Sequence, residues 1–83
     1  MMNVTYRIDK DILYIAVEGR VDASNSAEAE EKIFSIKNNN PEKHTVLDAD
    51  KLEYISSAGL RVILRLRKEE PKLAIINVAA DVY

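Results

Sequence analysis

The chain contains no cysteine and no tryptophan, and only one histidine, two glycines and two prolines in 83 residues. Without cysteine there can be no disulfide and no thiolate metal site, and thiols give no clue to the redox compartment. No glycine-rich phosphate loop is present, and the acidic residues are scattered without metal-ligand spacing, so no cofactor and no metal are expected. The formal net charge is only −2, which leaves no electrostatic footprint for nucleic acid or for an anionic membrane surface. No apolar run approaches the roughly 20 residues that a membrane helix needs. The segment Met1–Asp9 is short, alternating and strand-like, unlike a signal peptide, and the expected location is the cytoplasm.

What is present suits one small soluble domain over residues 1–83. Hydrophobic residues make up 47% and charged residues 31% of the chain, a globular composition at a length with room for a single core. Asn3 to Ile8 alternates, with Val4, Tyr6 and Ile8 on one face, as a half-buried strand does. Asp9-Lys10-Asp11 is a tight polar break. Ile12 to Val17 is almost continuously apolar, which predicts an inner strand covered on both faces, ended by Gly19. Arg20 to Ser26 reads as a loop.

A helix is expected from about Ser26 to Lys37, with Ala29, Ile33 and Ile36 inward and Asn25 or Ser26 as its cap. Asn38-Asn39-Asn40-Pro41 should end it, because asparagine tolerates left-handed conformations and proline cannot continue the turn. A third strand is expected from His44 to Asp48, followed by a polar loop. A second helix should run from about Ala58 to Glu69, with Gly59, Val62, Ile63 and Leu66 as its apolar stripe, broadened by Leu60 and Leu64. Arg61, Arg65 and Lys68 form a basic outer line of the kind that is ordinarily a solvated face. Leu73 to Val78 reads as a last strand. The order is β-β-α-β-α-β, an α/β fold with a mixed sheet, and crossover helices should make their flanking strands parallel. Asn77 to Tyr83 starts a further helical pattern, with Asp81 in an early position that suits the helix dipole.

The stretch Leu52-Glu-Tyr-Ile-Ser-Ser-Ala-Gly-Leu60 carries the chemistry. It places two hydroxyls at the first turn of a helix, where backbone amides lack partners and the dipole is positive. A phosphate added there would be well held and would change the surface. The plain reading of either serine is a helix N-cap, which suits Ser56 better than Ser57. Asp22 fits a turn or cap, and Asp48 fits a carboxylate bonding loop amides. Gly59 permits either close helix-to-sheet approach or a free turn backbone. His44 forms no triad with Ser57, because it leads its strand while Ser57 follows the other end, and five extended residues span about 17 Å.

Together, the opening hairpin, Gly19-Arg20-Val21-Asp22, the helix near Ser26, the apolar strand ending in Asp48 and the Ser56-Ser57-Ala58-Gly59-Leu60 turn resemble the STAS domain family, over the whole chain. Within it they resemble single-domain anti-sigma factor antagonists, whose turn carries a regulatory serine two residues before the glycine, here Ser57. Ser56 stands where the family often has Asp, and Ala58 where it often has Ser or Thr. The family domain usually continues past the last strand into another helix; the expectation is that the residues before Tyr83 fray or that this helix has been cut off, and its loss would leave a sheet face uncovered for self-association.

The resemblance implies a binding protein and not an enzyme. It implies that the unphosphorylated domain binds an anti-sigma factor that is also a serine kinase, that phosphorylation of Ser57 breaks the complex, and that a phosphatase restores it. The partner surface it implies comprises Asp22, Ser56, Ser57, Ala58, Gly59, Leu60 and Arg61, with Asp48 supporting the phosphosite. The alternative of the same fold is an unphosphorylated adaptor or scaffold subunit of a signalling or lipid-transport complex.

Overall fold

The computed structural model describes residues 2–78. Its elements are β1 (Met2–Asp9), β2 (Ile12–Val21), α1 (Ser26–Asn38), β3 (His44–Asp48), β4 (Leu52–Ile55), α2 (Ser57–Glu69) and β5 (Ala74–Ile76). β1 and β2 form an antiparallel hairpin across a two-residue turn, in which Asp9 faces Ile12 and Lys10 takes φ 57°. β3 is parallel to β2, and β5 is parallel to β3, as the helical crossovers demand.

The departure from the expected order is β4. The polar stretch after Asp48 is not all loop: it includes a four-residue strand, parallel to the end of β2 through Gly19↔Leu52 and Val21↔Ile55. Its burial alternates, with Leu52 and Ile55 buried and Glu53 exposed. β2 does not end at Gly19 either. Gly19 takes φ 85° at a register shift next to Arg20, the kind of bulge for which glycine's freedom is needed. β2 thereby gives one flank to β1 and splits the other between β3, which pairs residues 12–16, and β4, which pairs 19–21.

Both helices lie on one face of the sheet, packed against each other. Leu13, Ile15, Val17 and Val21 of β2 are buried beneath them, with Ala29 and Ile33 of α1 and Val62 and Leu66 of α2 closing the core. The intervening Ile12, Tyr14 and Ala16 are only half-buried, so β2 is covered on one face and not on both. Its apolar run misled because Tyr14 and Ala16 count as hydrophobic on a face that no helix covers. Thr45 is buried within this core at 2% exposure, and its Oγ1 has no hydrogen-bond partner.

Local details also differ from expectation. Asn25 occupies the N-cap position of α1 without a side-chain cap bond; its side chain accepts from Asp22 N at 2.9 Å and donates to Arg20 O at 2.9 Å. α1 ends without a left-handed asparagine, since Asn39 stays right-handed and Asn40 Nδ2 donates to Ile36 O. The left-handed asparagine is Asn77, at φ 61°, which ends the last strand earlier than Val78. Leu60 and Leu64 do not broaden the buried stripe of α2, being 37% and 64% exposed. The further helix expected around Asp81 lies outside the described residues.

Candidate functional site

The site forms where the C-terminal ends of β2 and β4 meet the start of α2. Val21 O accepts from Ser56 N at 2.8 Å, so the β2–α1 loop that begins at Asp22 runs beside the Ser56-Ser57 turn. Ser56 is the N-cap: its backbone is extended (φ −85°, ψ 174°) and its Oγ accepts from Gly59 N at 3.3 Å. That bond satisfies one of the donors that the first turn leaves open, and Ser56 O takes the amide of Leu60 at 2.9 Å. The amides of Ser57 and Ala58 keep no acceptor among the described residues, as expected at a helix start.

Ser57 is the first helical residue and is exposed. Ser56 occupies the cap, so the Ser57 hydroxyl is free of a structural duty. The first turn carries no acidic residue, which leaves the positive end of the dipole uncompensated. Leu60, Arg61 and Leu64 follow at three, four and seven residues from Ser57, all exposed, and therefore share its face of α2. Sequence periodicity assigned Leu64 to the core. The seven-residue spacing from Ser57 is the signal in the chain for its exposed position.

Gly59 faces the opposite way. A Cβ at this position would lie 2.6 Å from Ile55 Cγ1 and 2.9 Å from Val21 Cγ1. The glycine is buried and lets α2 descend onto β4 and β2, so close packing, and not a flat surface for a partner, explains it. Ala58 is half-buried beside it.

Asp22 is half-buried in its loop. Its Oδ1 accepts from Ser24 Oγ at 2.6 Å and from Ser24 N at 2.9 Å. The Ser24 hydroxyl, followed by the Ser24 amide, holds this carboxyl below its ordinary range. Asp22 is thus an ionised group beside the turn, oriented by its own loop.

Asp48 lines the same cavity as Gly59 and Leu60, but its position in the sheet is set back from the Ser56-Ser57 turn. It pairs with Ala16 while Ile55 pairs with Val21, five residues further along β2, an offset of roughly 16 Å. The unforeseen β4 strand creates that separation. Asp48 Oδ1 instead accepts from Asn77 Nδ2 and Asp50 N, both at 3.0 Å, and these bonds, Asn77 first, lower its pKa. It ties the ends of β3 and β5 together. His44 pairs with Ile12, at the opposite end of β2 from Ser57.

Of the outer basic line, Arg65 is bound to Glu30 of α1, whereas Arg61 makes no ion pair among the described residues. Below the turn, a mostly apolar cavity of about 140 Å³ lies between the two helices and the sheet, with Asp48, Leu60, Ile63, Ile75 and Val78 in its lining. Among the described residues no group of three or more acidic or histidine side chains could hold a metal ion, and no helix is long and apolar enough to cross a membrane.

The STAS domain family model matches residues 3–82. Among solved structures, an anti-sigma factor antagonist from Mycobacterium paratuberculosis superposes with a TM-score of 0.79 at 16% identity, over 90% of this chain and 66% of the other. The chain thus spans just under two thirds of that protein's length. A structure described as Mglu matches with a TM-score of 0.70 at 12% identity, over 95% of this chain and 20% of that one. No curated protein matches by sequence.

Proposed function

The chain belongs to the STAS domain family, and from that membership we propose that it is an anti-sigma factor antagonist, a cytoplasmic binding module switched by phosphorylation of Ser57. The observation that carries this reading is the division of labour between the two serines. Ser56 caps α2 through Gly59 N, while Ser57 is exposed on the same face as Leu60, Arg61 and Leu64.

The proposed cycle is local in its physics. With a neutral hydroxyl at Ser57, the exposed face of α2 and the Asp22 loop dock on an anti-sigma factor that is also a serine kinase, and the sigma factor is released to direct transcription. Phosphorylation adds about −1.5 to −2 charges and three acceptor oxygens at the helix start. The unpaired amides of Ser57 and Ala58 stabilise that anion within the domain, while the ionised Asp22 adds negative potential nearby. A partner fitted to a hydroxyl then meets bulk and charge. Reversing a bound population needs a differential affinity on the order of 5 kcal/mol, within reach of one lost contact and one desolvated charge. A serine phosphatase resets the module.

The test is to incubate the chain with its cognate anti-sigma kinase and ATP and to locate phosphate by mass spectrometry. Phosphate is expected on Ser57, and the complex is expected to dissociate as it accumulates. Phosphate that never reaches Ser57 overturns the reading. A stable assembly indifferent to Ser57→Asp supports the adaptor alternative instead.

A further inference from the structure

β1 is an edge strand of eight residues, and among the described residues no element pairs with its outer side. Its hairpin has a two-residue turn closed by Asp9 and Ile12, and residues closing such a turn exchange both backbone hydrogen bonds. Counting back by twos, Asp9, Arg7, Thr5 and Asn3 turn their amides and carbonyls to β2. Val4, Tyr6 and Ile8 turn theirs to the open edge. The side chains of those same three residues lie on the helix-covered face, opposite Val17, Ile15 and Leu13. Yet Tyr6 and Ile8 remain 56% and 45% exposed. A long edge that combines free backbone groups with uncovered apolar side chains is a template for another strand.

We infer that this edge pairs with a second copy of the same chain, β1 against β1 in antiparallel register about Tyr6. Tyr6 then faces Tyr6 of the second copy, and Val4 faces its Ile8. Val4, Tyr6 and Ile8 of each strand find backbone partners at once. A shallow groove bordered by Val4, Glu31, Lys32, Ser35 and Ile36 runs between β1 and α1, and the exposed Ile8 of the second copy falls against Val4 within it. Charge agrees with this register. Lys10, two residues beyond Ile8, is carried toward Glu31 on the outer flank of α1, and Glu31 makes no ion pair among the described residues. The contact occurs twice by symmetry. Arg7, the charge that would best guard the edge, is turned toward β2 over the Tyr14 ring at 3.9 Å, on the sheet face that no helix covers. This surface is distinct from Ser57, so its failure leaves the phosphorylation reading untouched.

The experiment is sedimentation of the full chain up to millimolar concentration, with hydrogen exchange read on the same samples. A concentration-dependent dimer is expected, with slowed exchange at the amides of Val4, Tyr6 and Ile8. Tyr6→Lys should weaken the dimer at least tenfold. Lys10→Glu and Glu31→Lys should each weaken it, and the double exchange should restore it. The natural chain lacks cysteine, so Tyr6→Cys provides a clean reporter. Facing Cα atoms of a hydrogen-bonded pair lie about 5.5 Å apart, within the span that a disulfide bridges, and Tyr6→Cys should crosslink under oxidation while Leu64→Cys does not. A monomer at every concentration overturns the inference. So does a dimer that crosslinks through Leu64→Cys and leaves the β1 amides exchanging freely.

Discussion

Leu64 lies two turns along α2 from Ser57 on the same exposed face, with 64% of its surface open to solvent. A seven-residue step falls only about 20° short of two full turns, so a protein resting on Ser57 also rests on Leu64. On the proposed function, Leu64→Ala should weaken binding to the anti-sigma factor about tenfold, near 1.4 kcal/mol. Stability should move by less than about 0.5 kcal/mol, as for an exposed site. Calorimetric titration beside urea unfolding separates the two effects.

The adjacent serines should divide cleanly under mutation. Ser56→Ala removes the bond to Gly59 N and should cost about 1 kcal/mol of stability. Ser57→Ala should leave the unfolding midpoint almost unchanged and abolish phosphate incorporation. Denaturation curves and phosphate mapping on both variants check this.

Gly59→Ala should be among the most damaging small substitutions. The new methyl would meet Ile55 and Val21 side chains at 2.6 Å and 2.9 Å, both buried in the core. Overpacking of this kind costs about 1–3 kcal/mol, seen as a lower urea midpoint with an unchanged slope.

Thr45→Val should stabilise the protein. The Thr45 hydroxyl is buried without a partner, and a valine of similar shape removes that desolvation cost, about 1–2 kcal/mol. Thermal unfolding should show a higher midpoint.

Acid should loosen the β3–β5 end of the sheet. Asp48 is depressed in the folded state by its bonds from Asn77 and Asp50. Its contribution is therefore present above the unfolded carboxyl pKa and is lost as pH falls through the lower folded one. Stability should be flat near neutrality and decline below about pH 4. Asn77→Ala should make that acid decline shallower, as followed by urea unfolding at successive pH values.

Much of this protein is written in local pattern. The hairpin, both helices and the parallel strands flanking them follow from period-2 and period-3.6 burial, and the start of α2 follows from a serine cap ahead of an apolar stripe. These are short-range preferences that neighbouring residues settle among themselves. Three features depended on the tertiary arrangement. β4 is four residues long, too short to assert itself by pattern, and exists because β2 offers a free flank beyond the Gly19 bulge. That strand sets Asp48 back from Ser57 along β2, an offset that no spacing in the chain reveals. Leu64 reads as core by periodicity, and Leu60 as either core or a partly exposed anchor; both face outward, because Gly59 brings the other side of α2 down onto the sheet. Hydrophobicity states what a side chain prefers; which face is covered depends on which elements lie above it, and only the assembled fold decides that.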